Sequence, residues 1–321
     1  MSDVVLPDHI HLHAGDKLLS LAVWIGASAL FASVGWMALQ PDDPQGAVSL
    51  LTRGGSLWSV AQIAALAAVV SGLAAALVGR KLPDAGVFAV SIGLAVAVWR
   101  GEGTSHLLIS VAGEGAAARS SLAWRLGFEG LVWFLPIAAA ILASGLVMRW
   151  VHGAGSDDPG DSCRALALAN VPGMSEWFSA SDDAGDQPKL VGGVKTMLVS
   201  LVAATIIYRI LATGSPLRSV QQGQSYFALA AAFYLAGLIA YEIFPARTAL
   251  WGILSAPLLC LLGYSLAAMS SSPGGGYGHI ASVPPSTFYR SLPAEYVCVG
   301  TAASIAAFWS VRRSAMMRSV K

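Results

Sequence analysis

Eight long apolar stretches divide this chain, and they restrict its fold more than any other feature. Most approach the length of about 20 residues that an α-helix needs to cross the hydrocarbon core of a bilayer. The stretches are apolar on every side rather than along one stripe, which is typical of membrane spans or deeply buried helices. The sequence therefore predicts an all-α integral membrane protein with about eight transmembrane helices. The predicted spans are residues 18–39, 57–79, 83–99, 130–149, 190–212, 225–244, 248–269 and 293–311.

The composition supports a membrane protein and excludes one class of partner. Hydrophobic residues make up 55% of the chain and charged residues only 12%, about half the charged share of a soluble domain. With a formal net charge of only +1, the chain lacks the excess of basic residues that is typical of nucleic-acid-binding proteins. The lipid bilayer is thus the main predicted partner, and membrane-protein partners or a homo-oligomer remain open.

The distribution of lysine and arginine predicts the orientation of the chain. An even number of spans puts both termini on one side, together with most of the basic residues. Because cytoplasmic loops carry the excess of basic residues, that side is predicted to be cytoplasmic, in the cytoplasmic membrane of a bacterium. The predicted segments are a tail 1–17, a membrane half 18–149, an acidic cytoplasmic linker 150–189, a second membrane half 190–311 and a basic tail 312–321.

Two loops resemble each other and predict an internal repeat. Residues 99–129 and 271–295 both open with glycines, place a histidine before a Ser-Val pair and close with an arginine before a glutamate. Corresponding loops in two four-span halves imply a pseudo-two-fold axis along the membrane normal, as in parallel-repeat transporters. The sequence thus predicts two parallel four-helix repeats. Chance similarity in a simple composition is the alternative.

The two outward loops supply the candidate residues for binding or gating. Imidazole and carboxylate groups bind metals or move protons, and guanidinium groups hold anions. No spacing among these residues matches a specific metal or catalytic motif, so ordinary loop residues and interface anchors are the alternative. The candidates are His106, Arg125, Glu129, Tyr277, His279, Arg290 and Glu295.

The N-terminal tail contains a weak metal-binding pattern. His9, His11 and His13 alternate along the chain and would share one face of an extended segment. Imidazole suits transition metals, so the pattern predicts a candidate metal site, with an ordinary solvated tail as the alternative. No further cofactor is indicated, and the catalytic motifs of nucleotide-binding proteins and zinc proteases are missing from the sequence.

The predicted spans themselves look like packing elements. Small faces let helices approach closely in lipid, and small residues recur at helical spacing in the first two spans. They are Ala22, Gly26, Ala29 and Ser33 in the first, and Ala61, Ala65, Ala68, Gly72, Ala75 and Gly79 in the second. No charged residue falls at the middle of a predicted span, which argues against a proton-driven pump.

Two functional hypotheses follow from these observations. The first is transport or flipping of a weakly polar or lipid-like solute, with the outward loops as a gate. The second is a membrane-embedded enzyme, or a scaffold subunit of a membrane complex, that uses the same loops as its site. The missing catalytic motifs favour a protein that is not an enzyme.

Overall fold

The structure is a computed structural model, and most of the residues that it describes are helical. It describes residues 14–42, 46–50, 57–79, 82, 84–101, 107, 116–152, 189–212, 222–244, 246, 248–269 and 287–319. These ranges contain eight α-helices, one short 3-10 helix and no β-strand. The α-helices are α1 (Ala14–Leu39), α2 (Leu57–Val78), α3 (Ala85–Trp99), α4 (Ala116–His152), α5 (Lys189–Leu211), α6 (Gln222–Ile243), α7 (Leu250–Met269) and α8 (Pro293–Ser319).

Seven of these helices are long and apolar enough to cross a membrane, which confirms a multi-pass membrane protein. The exception is α3, which has 15 residues against the about 20 that a bilayer core requires. It packs against α1, α2, α4 and α8, and most of its side chains are buried. Its neighbours, rather than lipid, therefore cover most of its surface.

The helix limits differ from the predicted spans at two places. Helix α4 begins at Ala116 rather than at residue 130, and α8 continues through the predicted basic tail to Ser319. The predicted start of the fourth span was too late because Arg119, Arg125 and Glu129 lower the local hydropathy. The backbone continues as a helix through these residues, since alanine and leucine between them favour it.

The packing order of the helices recurs in part: two pairings are shared, whereas α5 packs closely on α6 while α1 and α2 touch only slightly. Helix α2 packs on α4 as α6 packs on α8, and α1 packs on α3 as α5 packs on α7. Between the first four helices and the last four, α4 contacts α7 and α3 contacts α8. Glycines mark the closest approaches, with Gly130 against Cys260 between α4 and α7, and Gly237 against Ala307 between α6 and α8.

The small-residue stripes have different environments in α1 and α2. In α2, Gly72 and Gly79 pack against Val147 and Met148 of α4, so the prediction of a packing face is confirmed for the C-terminal half of that helix. In α1 the four small residues of the predicted stripe all lie exposed, and a Cβ added at Gly26 meets nothing within 4 Å. The exposed small residues of α1 are Ala22, Gly26, Ala29 and Ser33.

A local widening of α1 fixes the position of α3. Residues Phe31–Gly35 form a π-helical segment, which releases backbone carbonyls from the regular ladder. Arg100, just after α3, donates a hydrogen bond to the carbonyl of Ala32, and its guanidinium lies 4.8 Å from the ring centre of Trp36. The C-terminal end of α3 is thereby anchored to α1.

Candidate functional site

Two glutamates lie almost completely inside the helical bundle. Glu129 of α4 is 4% exposed and Glu295 of α8 is 1% exposed. Both fall within helices that are long enough to span a membrane. The predicted fourth span begins just after Glu129, but Glu129 lies well inside the helix Ala116–His152. An ionisable group in such a position is expensive to bury and is a candidate functional group.

Neutral donors from three places surround the Glu129 carboxylate. The Ser49 hydroxyl donates to Oε2 over 2.6 Å, and the Leu50 backbone N–H donates to Oε1 over 2.9 Å. The Trp133 indole N–H, one turn along α4, donates to Oε1 over 2.9 Å. The carboxylate therefore ties the segment that follows α1 to the middle of the bundle, and its hydrogen bonds offset part of its burial cost.

Glu295 lies at the third position of α8 and closes the start of that helix. Its Oε2 accepts from the backbone N–H of Leu292 over 2.9 Å, which is the reciprocal half of a capping box, with Pro293 at the first helical position. Its Oε1 lies 3.5 Å from the amide nitrogen of Gln222 on α6, and the Ser291 side chain donates a further hydrogen bond. The weak Gln222 contact leaves Oε1 with spare acceptor capacity.

Tyrosines connect the surroundings of the two glutamates. Tyr208 of α5 shares a 2.9 Å hydrogen bond with the Ser291 hydroxyl, and Tyr264 of α7 donates to the Ser291 carbonyl over 2.6 Å. Tyr264 also packs against α4 near Glu129, since a Cβ added at Gly127 would lie 3.4 Å from the Tyr264 Cβ. These buried rings pack edge to face with Tyr296 of α8, so they hold the entry to α8 rigidly against α5 and α7.

The arginines predicted to accompany these glutamates have other roles. Arg125 lies exposed on α4, and Arg290 donates to the carbonyl of Ala212 at the end of α5. Among the described residues, neither glutamate forms an ion pair. The two predicted Arg–Glu pairs are therefore not formed as such in the structure, because each arginine points to a backbone carbonyl or to the surface.

Several predicted residues lie outside the described ranges. His106, Tyr277 and His279 of the two loops belong to this group, so their predicted convergence stays a prediction. The histidines of the N-terminal tail, His9, His11 and His13, also fall outside them. Within the described residues, no group of three potential metal ligands occurs.

A lateral groove between α3, α6 and α8 was not predicted from the sequence. It measures about 830 Å³, within the range of about 300–1,000 Å³ that is common for small-molecule sites. Its floor is made of alanines on α6 and α8, and their spacing in the sequence is equally compatible with close packing of the two helices. Residues lining it are Phe88, Ile92, Ala95, Val96, Trp99, Gly223, Tyr226, Phe227, Ala230, Ala231, Tyr234, Leu235, Val299, Ala302, Ala303 and Ala306.

The groove is apolar along its length and polar at its ends. Tyr226 donates to the carbonyl of Ala95 over 3.0 Å and thus joins α6 to α3 at one end. Tyr234 shares a 3.0 Å hydrogen bond with Ser310 towards the other end. The rim is open, since Phe227 is 69% exposed and Trp99 is 52% exposed. In a bilayer, such an opening faces lipid.

Comparisons with known proteins assign no family to this chain, so a functional assignment rests on the geometry described above. No protein-family model matches the chain, and no match was found among curated proteins or among solved structures.

Proposed function

We propose that the protein binds and moves a lipid-like, weakly polar molecule, and that the groove between α3, α6 and α8 is its binding site. The observation that carries this proposal is a volume of about 830 Å³ lined almost entirely by apolar side chains. Exposed apolar rim residues give hydrocarbon direct access to it from the side. A long apolar body fits such a groove better than a polar solute does, because no polar side chain interrupts its middle.

The position of the groove supports movement as well as binding. Helix α3 belongs to the first four helices, whereas α6 and α8 belong to the last four. A small rotation of one half against the other would therefore change the width of the groove. The partly recurring packing order of the two halves supports the proposed duplication, and parallel repeats move in this way in known transporter folds.

A groove-filling substitution tests the proposal. Ala302→Trp would place an indole in the groove, while Ala65→Trp would place one on the exposed face of α2 as a matched control. Binding is measured as quenching of Trp99 fluorescence by a phospholipid with brominated acyl chains. Each protein is compared with the same protein carrying Trp99→Phe, which subtracts every other tryptophan, including the introduced one. Movement is measured with a fluorescent phospholipid in vesicles that contain the protein.

The expected result is that Ala302→Trp abolishes both the quenching of Trp99 and the transbilayer movement, whereas Ala65→Trp retains them. Equal quenching in both variants would contradict the groove as the site. Loss of quenching with unchanged movement would contradict its role in transport.

The alternative is a scaffold subunit of a membrane complex, and one observation favours it. The small-residue face of α1 is exposed, with open space around Gly26, and such faces receive other helices in lipid. Under this alternative, both tryptophan variants would leave lipid movement at the level of protein-free vesicles.

A further inference from the structure

We propose that the groove selects amphiphiles with a protonated amine headgroup, and that Glu295 is the group that recognises the amine. This inference rests on the proposed function, because it assumes that the apolar body of the ligand lies in the groove. It specifies the chemical class of the headgroup and the residue that binds it.

The first step is the position of Glu295 relative to the groove. Val299, one turn after Glu295 on α8, lines the groove, and so does Gly223, which follows Gln222 on α6. Residues four apart lie above one another on a helix face. The contact between Gln222 and Glu295 therefore lies one turn beyond the lining residues Tyr226 and Val299, buried just past that end of the groove.

The second step is the kind of group that this end can receive. The amide of Gln222 donates to the Gly101 carbonyl over 3.2 Å and only weakly, over 3.5 Å, to Glu295. The hydroxyl of Tyr226 is already used in its bond to Ala95. Glu295 also accepts from the Leu292 N–H and the Ser291 side chain. A carboxylate has about four acceptor sites, so one remains for a group with several N–H donors.

The third step is charge. Among the described residues, no cation pairs with Glu295, and Arg290 is directed to Ala212 instead. Burying a carboxylate without a cation is costly, and a bound ammonium group would remove much of that cost. A carboxylate headgroup would be repelled, and an alcohol would gain one neutral hydrogen bond. The expected order of binding is amine, then alcohol, then carboxylate.

Three probes with the same chain test this order. Dodecylamine, dodecanol and dodecanoate are titrated at pH 7 against protein whose Trp99 is quenched by the brominated phospholipid, and recovery of fluorescence reports displacement. Wild-type protein should prefer dodecylamine over dodecanol by at least about tenfold, since a hydrogen bond to a charged group is stronger than a neutral one. Glu295→Gln should bring this preference close to one.

Glu129→Gln is the matched control, because it neutralises another buried glutamate, whose partners Ser49, Leu50 and Trp133 do not line the groove. It should retain the preference of the wild type. If Glu295→Gln does not fold, Gln222→Glu provides a second variant, which adds a carboxylate at the same end of the groove and should increase the preference for the amine.

The outcomes separate the two proposals. Displacement by all three probes with equal strength, or an unchanged preference in Glu295→Gln, would overturn the role of Glu295 while leaving the groove as a binding site. An unchanged preference in Gln222→Glu would overturn it in the same way. Failure of every probe to displace the lipid, together with normal quenching in Ala302→Trp, would overturn the groove itself and the headgroup inference with it.

Discussion

Glu129 and Glu295 show how one residue type fills two roles in this bundle. Glu129 binds three donors at 2.6–2.9 Å, so both of its oxygens are occupied by the protein. Glu295 accepts at a helix start from Leu292 and Ser291, and its third contact, to Gln222, is long at 3.5 Å. The first arrangement is that of a structural anchor, and the second leaves room for a ligand.

The anchoring role of Glu129 gives a prediction about stability. Glu129→Leu would leave the Ser49 hydroxyl, the Leu50 N–H and the Trp133 N–H without an acceptor, and each buried unsatisfied donor costs about 1–3 kcal/mol. We expect the free energy of unfolding to fall by about 3 kcal/mol or more. Thermal unfolding in detergent measures the change.

Glu129→Gln is the control for this prediction. Its amide oxygen still accepts, and Ser49 can reorient its hydroxyl to accept from the new NH₂ group. The loss should therefore be clearly smaller than in Glu129→Leu. Equal losses in the two variants would mean that charge, rather than hydrogen bonding, is what Glu129 contributes.

Asp84 is the second residue with an unusual setting. Its backbone is left-handed, with φ 67°, the one positive value among described non-glycine residues. It precedes α3 without capping it through its side chain. Burial raises the pKa of Asp84 to about 6, partly offset by the positive charge of Arg312 on α8. Tyr241 of α6 also interacts electrostatically with Asp84.

The raised pKa predicts how stability changes with pH. Because the folded state holds the Asp84 proton more tightly than the unfolded state, this residue lowers stability as pH rises from about 4 to about 6, by at most about 3 kcal/mol. Asp84→Asn, which tolerates the left-handed backbone, should remove this loss and raise the melting temperature at pH 7. Identical melting curves for both proteins across pH 4–7 would contradict the prediction.

At the scale of elements, close helix contacts depend on glycines in the second half. A Cβ at Gly237 would come within 2.7 Å of the Ala307 Cβ on α8, closer than carbon atoms pack. Both atoms are fixed to backbone, so α6 and α8 would have to separate. These two helices also form the floor of the groove.

A pair of glycine substitutions tests this contact. Gly237→Ala should lower the free energy of unfolding by about 1–3 kcal/mol through overpacking. Gly26→Ala, where a Cβ meets nothing within 4 Å, should raise it by up to about 1 kcal/mol, since alanine favours helix over glycine. Urea or thermal unfolding of the wild type and the two variants measures these changes in stability. Stabilisation by both substitutions would rule out the tight contact between α6 and α8.

At the scale of the whole molecule, the short helix α3 decides the topology. If Ala85–Trp99 returns the chain across the membrane together with its protein neighbours, both termini share one side. The charge distribution then predicts that they face the cytoplasm. The two proposed halves would also keep the same orientation, as parallel repeats require.

Labelling of single cysteines tests this topology. In a variant whose native cysteines are replaced by alanine, Asp42→Cys after α1 should react with an impermeant maleimide added outside cells. Arg313→Cys, near the end of α8, should react only after the membrane is opened. Both positions are exposed, so access to reagent depends on side alone. Labelling of Arg313→Cys in intact cells would contradict a cytoplasmic C-terminus.

The sequence by itself determined the class of this protein and the position of its helices. A helix satisfies its own backbone hydrogen bonds within one segment, and lipid demands this of every span. The length of an apolar stretch is therefore a signal contained in one segment, and it indicated where the eight described α-helices lie. The sequence also indicated Glu129 and Glu295 as candidate functional residues. Their charge made them conspicuous in a chain with only 12% charged residues.

Only the tertiary structure decided how those helices and glutamates are used. The start of α4 at Ala116 was hidden because polar residues there are satisfied by partners that are distant in sequence, as Glu129 is by Ser49 and Leu50. The groove needs α3, α6 and α8 side by side, and alanine stripes look alike whether they pack closely or leave a trough. Distance along the chain carries no information about which helices meet, so the site depended on packing.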